Sequence, residues 1–314
     1  MTTYVLKRLV SMVPVLLLVS VVIFSLIHLT PGDPGVAMLG EEATPEARDR
    51  LRAQLGLDQP ILVQYSVWLM KALTGDLGRS IRTNQPVAEA IGERLPVTVE
   101  LAVFALAIAL AIALPAGIIA ATKRGTWADI GSTVTCLLGV SMPNFLLAVL
   151  LVYVFSLTLR WLPPIGYISP ALDVVGNLKG MIMPAVTLGA FAAAATARLT
   201  RSTLLEVLGQ EYIRTGRAKG LSEQSVIRTH AMKNALIPVV TVVGLQLGNL
   251  LGSAIVTETI FALPGVGRLV VDSIYQRDFP LVQGVTLYLA IIFLFVNLFV
   301  DMVYAYLDPR IRYG

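Results

Sequence analysis

A single cysteine, Cys136, leaves this 314-residue chain without a partner for an intrachain disulfide. It lies inside an apolar run, where a free thiol reads as a small buried hydrophobe. Only two histidines occur, His28 and His230, and no Gly-Lys dipeptide is present, which excludes a GxxxxGKS/T phosphate-cradling loop. Charge is scarce too: 14% of residues are Asp, Glu, Lys or Arg, against about a quarter in soluble globular domains. With 56% hydrophobic residues, that scarcity argues against the two soluble domains that length alone suggests. The net charge of +4 is small, and no nucleic-acid partner is expected.

What the chain has instead is long apolar runs, at 9–29, 97–121, 131–158, 181–199, 235–257 and 284–307. Each is close to or above the roughly 20 helical residues that cross a hydrocarbon core. The expected fold is therefore an all-α polytopic membrane protein with six transmembrane helices. Residues 9–29 follow basic residues, as a secretory signal also does; they are long for a signal core, and HLTPGDP shows no small-x-small cleavage pattern, so they are read as a retained span.

Six crossings put both termini on one side. Lys7, Arg8, Lys123, Arg124, Arg310 and Arg312 join the seven basic residues of the segment 198–233 there, against Arg160, Lys179, Arg268 and Arg277 in the short connections opposite. By the positive-inside rule the richer side is cytoplasmic. The resulting division is a cytoplasmic N-terminus and first span at 1–29, an extracytoplasmic helical region at 30–96, a five-helix core at 97–307 and a cytoplasmic tail at 308–314. Within the helical region, Thr44 as N-cap, Pro45 in the first turn and Gly56 as a stop predict a helix over 45–55. A second helix is expected over 60–73. This small cap either shields the mouth of the bundle or docks a soluble partner.

Five spans carry a proline, namely Pro14, Pro115, Pro143, Pro184 and Pro238, so kinks are expected, either purely structural or where helices move. Gly244, Gly248 and Gly252 recur every four residues in the fifth span and predict a face that another helix approaches closely. Gln246 and Asn249 accompany them, lining a translocation path or bonding across helices. Asn297 and Asp301 read as a structural pair rather than a proton relay, since no second charge accompanies them in mid-span. Glu100 and Glu258, near outer ends of spans, are expected to face water or a partner. His28 and His230 fall on opposite sides of the membrane, so no His-pair metal site is expected.

The most informative segment is the polar island at 198–233. Arg198, Arg201, Arg214, Arg217, Lys219, Arg228 and Lys233 lie there with Glu206, Glu211 and Glu223. Ten charges at bilayer depth would cost about 25 kcal/mol, so this segment lies in water. Leu204, Leu205, Leu208, Tyr212 and Ala218 predict one helix over 203–219. Gly220 supplies a stop and Ser222 an N-cap, with Glu223 near the positive end of a second short helix. Helix, glycine corner, helix is a rigid knob rather than a loop that merely carries topogenic charge.

The island, EYIRTGRAKGLSE followed by HAMKNALIP, resembles the EAA loop of binding-protein-dependent ABC importer permeases. Its variant in dipeptide/oligopeptide permeases runs close to DYIRTARAKGLSE and HALRNALIP, and Arg214, Thr215, Gly216 and Gly220 occupy the general pattern's positions. LTPGDP at 29–34, LGLDQPILVQY at 55–65, GDLGRS at 75–80, SMPNFLLAVLL at 141–151, TETIFALPGVGRLVVDSI at 257–274 and LDPRIRYG at 307–314 extend the similarity over nearly the whole chain. Gly216 departs from the usual alanine, which costs a helix interior about 1 kcal/mol.

The resemblance implies a type I importer permease in the bacterial cytoplasmic (inner) membrane, of the subunit type with a large first extracytoplasmic loop. It implies a second related permease subunit, two cytoplasmic ATPases that hold the ATP and Mg, and an extracytoplasmic solute-binding protein. No cofactor, catalytic residue or metal site is then expected in this chain. The coupling loop is 200–233, with Glu211, Arg217, Ala218, Gly220, Leu221, Ser222 and Glu223 as the coupling residues: Gly220 for the turn, Leu221 as an apolar anchor, the charges as rim contacts. Dipeptides or oligopeptides are the expected substrates, with glutathione or nickel and other metal chelates as alternatives. An ion-coupled secondary transporter would need an intramembrane ion site, and a membrane enzyme a catalytic cluster.

Overall fold

The computed structural model describes residues 2–29, 36 and 44–307. The LTPGDP motif beyond Leu29 and the terminal LDPRIRYG beyond Leu307, with the tail at 308–314, lie outside the described residues. Among the described residues there is no strand, only an isolated bridge between Arg79 and Pro86. The helices are α1 (Thr2–Leu29), α2 (Pro45–Leu55), α3 (Ile61–Leu73), α4 (Val87–Thr122), α5 (Trp127–Ser141), α6 (Asn144–Leu151), α7 (Val174–Leu208) and α8 (Glu211–Ala218). There follow α9 (Glu223–Ile260), α10 (Val266–Tyr275) and α11 (Phe279–Leu307). Five of them, α1, α4, α7, α9 and α11, are long and apolar enough to cross a membrane, or six spans if α5 and α6 count as one.

The chain forms two compact units. The first comprises residues 1–97 and 264–298. Here α2 is capped as its sequence dictates: the Thr44 hydroxyl accepts the Ala47 N–H, Pro45 opens the helix, and Gly56 closes it at φ +67°. Helix α3 packs its aromatics on α1, with the Phe24 ring 5.4 Å from Tyr65 and 5.8 Å from Trp68, and the Ser20 hydroxyl 2.8 Å from that of Tyr65. The GDLGRS segment turns at Gly75 and Gly78, both at positive φ. Buried Asp278 holds it in place. One carboxylate oxygen accepts from the Ser80 hydroxyl at 2.5 Å and the Ile81 N–H at 3.1 Å, while the other accepts the Leu281 N–H at 3.3 Å at the start of α11. Val87, Ile91, Val266, Leu281 and Val285 form the apolar core beside this clamp.

The second unit comprises residues 98–263 and 299–314. Its axis is α7, whose Ala-rich stretch from Gly189 to Ala197 is largely buried. Small residues let backbones approach. A Cβ on Gly189 would lie 2.5 Å from the Ala105 carbonyl oxygen, and one on Gly117 would lie 2.6 Å from that of Ala197. These two glycines therefore set the close packing of α4 on α7. Buried Asp129 accepts the Nε and Nη2 of Arg201 at 2.8 and 3.0 Å and also the Gly125 N–H at 3.1 Å, pinning the turn before α5 to α7.

Four expectations are corrected. The third span, 131–158, is not one helix: α5 and the α6 segment running to Thr158 meet at 105°. Met142 precedes Pro143 and is held extended at ψ 123°, as the residue before proline must be, so the helix ends there. The helix expected over 203–219 is two helices, because α7 stops at Gly209 and Gln210 is extended at ψ 150°. The glycine face is partial: a Cβ on Gly244 would meet Val300 at 2.9 Å, but Gly252 faces open space. Finally, Glu258 faces neither water nor a partner, being fully buried with the Thr98 hydroxyl donating to it at 2.6 Å. Glu100, by contrast, is half-buried and accepts from the Tyr167 hydroxyl at 2.8 Å; burial first, then this bond, hold the Tyr167 phenol up at about 12.

Candidate functional site

The polar island forms two short helical elements around a corner. Helix α8 begins after extended Gln210 with Glu211 in its first turn, where a carboxylate suits the positive helix end. Its closure is a Schellman motif: the Gly220 N–H bonds the Arg217 carbonyl at 2.9 Å and the Leu221 N–H reaches back to the Gly216 carbonyl at 3.4 Å. That pattern requires a left-handed residue, and Gly220 supplies it at φ +82°. The motif's usual apolar contact is present in outline, since a Cβ on Gly216 would lie 3.6 Å from Leu221 Cδ1. Ser222 then starts the next helix, its hydroxyl accepting the Ser225 N–H at 3.3 Å.

Two features make the corner rigid. Ile213, 1% exposed, sits in an apolar cluster with Ala121, Leu204, Val226, Ala231 and Ala235 and roots the corner in the unit. Across the corner, Arg217 donates Nε and Nη2 to the two carboxylate oxygens of Glu223 at 2.7 and 3.2 Å. With Arg217 40% and Glu223 62% exposed, this fork stabilises by at most about 1 kcal/mol and serves mainly to fix geometry. Glu211 pairs with Arg214 at 2.9 Å, also in water. Every residue from Arg217 to Gln224 is exposed, so Ala218, Gly220, Leu221 and Ser222 project as a knob. Beyond it, α9 opens with a π-helical turn, Val226–Ala231, that leads into the long apolar stretch.

The corner thus gathers six of the seven coupling candidates in one exposed feature, whereas Glu211 stands at the other end of α8, paired with Arg214. The charges are paired with neighbours rather than free at a rim, which the sequence did not reveal. Ile213 was also missed. No helical period points to it: nine residues from Leu204, Ile213 would lie on the opposite side of a continuous helix, and only the break at Gly209 and Gln210 turns it into the cluster with Leu204, while Tyr212 and Ala218 are exposed.

The second group of candidates lies elsewhere in this unit. Gln246 is buried, accepts from the Thr196 hydroxyl at 3.1 Å and donates to the Ala192 carbonyl at 3.4 Å, locking α9 to α7. Gly248 is buried beside it. Gln246 and Asn249 line a cavity of about 380 Å³ at the break between α5 and α6, whereas Gly244 packs on Val300 and Gly252 is exposed.

Residues 113–313 match the family described as the binding-protein-dependent transport system inner membrane component, and residues 1–102 match the N-terminal region of such components. The chain belongs to this family. Over its whole length this inner membrane component is 48% identical to a Brucella abortus (strain 2308) protein provisionally named a peptide transport system permease, both chains being fully covered. It is 45% identical to the dipeptide transport system permease protein of Alkalihalophilus pseudofirmus, and 43% to the glutathione transport system permease protein of Escherichia coli (strain K12), again with full coverage of both. Among solved structures, a chain of the MetNI methionine ABC transporter in an inward-facing form superposes with a TM-score of 0.57 at 19% identity, over 70% of this chain and 96% of that one. That likeness shows the fold. The inner membrane component is a multi-pass membrane protein of a transport system that depends on a binding protein.

Proposed function

We propose that this inner membrane component is the permease subunit of an ATP-driven peptide importer, and that the corner at Ala218–Ser222 is where a partner ATPase moves it. The observation that carries the reading is the exposed Schellman corner, rooted by Ile213 and closed by the Arg217–Glu223 fork. A knob that is stiff in itself can transmit displacement; a loop would absorb it. Leu221 offers the apolar contact, with the Arg217–Glu223 fork across the corner beside it and Glu211 at the far end of α8.

In this reading a second related permease completes the membrane part, two ATPases lie on the cytoplasmic face, and a solute-binding protein delivers substrate outside. The Lys/Arg asymmetry supports both termini and the corner on the cytoplasmic side. ATP-driven closure of the ATPases carries the corner inward and switches the helices from inward-open to outward-open, a rigid-body alternation of access. The relatives' names support peptides as substrate, and glutathione is the second reading, being itself a small peptide. Nickel and other metal chelates are the further alternative, which the test below compares directly.

The test is ATPase stimulation and uptake in the complete importer in proteoliposomes, with dipeptides, glutathione and nickel chelates compared. Leu221→Asp is expected to leave the subunit inserted and assembled while uptake falls relative to hydrolysis. Unchanged uptake would remove the corner from the coupling path.

A further inference from the structure

The cavity at the break between α5 and α6 has a lining that neither the family nor the coupling corner explains. Ser141 ends α5, Asn144 begins α6, and Gln246, Asn249 and Ser253 follow one another along one side of α9, with Phe191 among the apolar residues of the wall. Among the described residues that line it, none is charged. We infer that this cavity is a passage site that holds peptides by their backbone amides, whatever their side chains. The inference rests on the peptide-importer reading and assigns that reading a contact surface.

Three observations converge. The side chains of Ser141, Asn144, Asn249 and Ser253 make no hydrogen bond with any described residue, although they lie among apolar spans. Polar groups at such a place need water or a ligand, because lipid leaves them unsatisfied. Second, the backbone is non-helical at Met142 and Pro143, which membrane segments tolerate where the break lines a cavity. As first-turn residues of α6, Asn144 and Phe145 have N–H groups with no partner inside the helix. Third, Gln246 is clamped by Thr196 and Ala192. Its amide is thereby fixed, with one N–H left over.

Amides and hydroxyls both donate and accept, which matches the alternating C=O and N–H groups common to all peptides. A fixed charge would hold one charge class tightly and slow its exit, whereas a path needs contacts weak enough to release. The volume, about 380 Å³, falls in the range of small-molecule sites.

The experiment uses the complete importer in proteoliposomes with Ala-Ala, Ala-Lys and Ala-Glu as probes. Asn249→Leu is expected to lower kcat/KM for Ala-Ala about fivefold, the worth of one neutral hydrogen bond. Asn249→Asp is expected to raise the Ala-Lys over Ala-Glu preference at least about fivefold over wild type, a gain that misfolding cannot mimic. In a Cys136→Ser background, Asn249→Cys should react with a water-soluble maleimide in the assembled complex and be protected by Ala-Ala during turnover. An unmoved preference, or a thiol that never reacts because the second permease or lipid covers it, overturns the inference alone. If the wild-type complex carries none of the three dipeptides, the peptide reading falls and takes the inference with it.

Discussion

Gly220 is the position at which the coupling proposal is most exposed to test. Its φ of +82° places it in the left-handed region, and a Cβ added there would meet nothing within 4 Å. Within this chain the substitution effect is therefore conformational, with no internal clash, and the choice of side chains separates φ from size at the partner's surface. For alanine the left-handed cost is about 1–2 kcal/mol, five- to thirty-fold in the population of the corner. Valine, β-branched, should cost more, and asparagine, which visits this region readily, much less. The strain acts directly on the two Schellman bonds, from the Gly220 N–H to Arg217 and from the Leu221 N–H to Gly216. Losing them frees Arg217 and Glu223 to separate, since their fork is worth too little to hold the corner alone. The readout is peptide taken up per ATP hydrolysed in proteoliposomes holding the complete importer. Expected is a graded loss, Gly220→Asn near wild type, Gly220→Ala intermediate, Gly220→Val lowest, with assembly unchanged. Wild-type coupling in Gly220→Val would refute the reasoning. So would equal damage from Asn and Val, since that would show that size rather than φ matters.

Other outcomes follow from neighbouring geometry. Gly216→Ala should stabilise α8 by about 1 kcal/mol and retain coupled transport, because the added methyl meets Leu221 at an ordinary 3.6 Å; loss of transport in an assembled complex would assign the glycine a conformational role. Gly189→Ala should destabilise by about 1–3 kcal/mol, since its Cβ would sit 2.5 Å from the Ala105 carbonyl, whereas Gly252→Ala should be near neutral. Thermal unfolding of the two variants in detergent separates them, and equal midpoints would contradict the packing of α4 on α7. Asp278→Ala removes the acceptor for Ser80, Ile81 and Leu281, and should cost about 3 kcal/mol or more. Protease cleavage within residues 75–86 should appear in that variant, and continued resistance would mean that the clamp is dispensable.

Much of this protein is written locally in its sequence. Apolar runs announce helices because each must bury or immerse an entire surface, and no tertiary knowledge is needed to see 9–29 or 284–307. Caps are equally local: Thr44, Gly56, Gly220 and Ser222 each act within a turn of their own position, so the helix over 45–55 and the corner at Gly220 could be placed from residue types alone. The family similarity was readable for the same reason, its motifs being contiguous.

What the sequence left open concerns partners distant along the chain. Pro143 signalled a kink, but only the packed structure decides that α5 and α6 part by 105° and leave a cavity there. A four-residue glycine spacing predicts a face, yet whether a neighbour occupies it depends on other helices: Gly189 and Gly117 meet backbones, while Gly252 meets nothing. The nearby end of its span predicts water or a partner for Glu258; its burial against Thr98, 160 positions away, is a tertiary fact. The same holds for Asp278 with Ser80 and for Asp129 with Arg201. Local physics, the hydrophobic run and the hydrogen-bonded turn, determined which segments are helical and where the exposed corner falls. Which helices touch, and which polar groups they bring together, was decided only when side chains far apart in sequence came to share the same space.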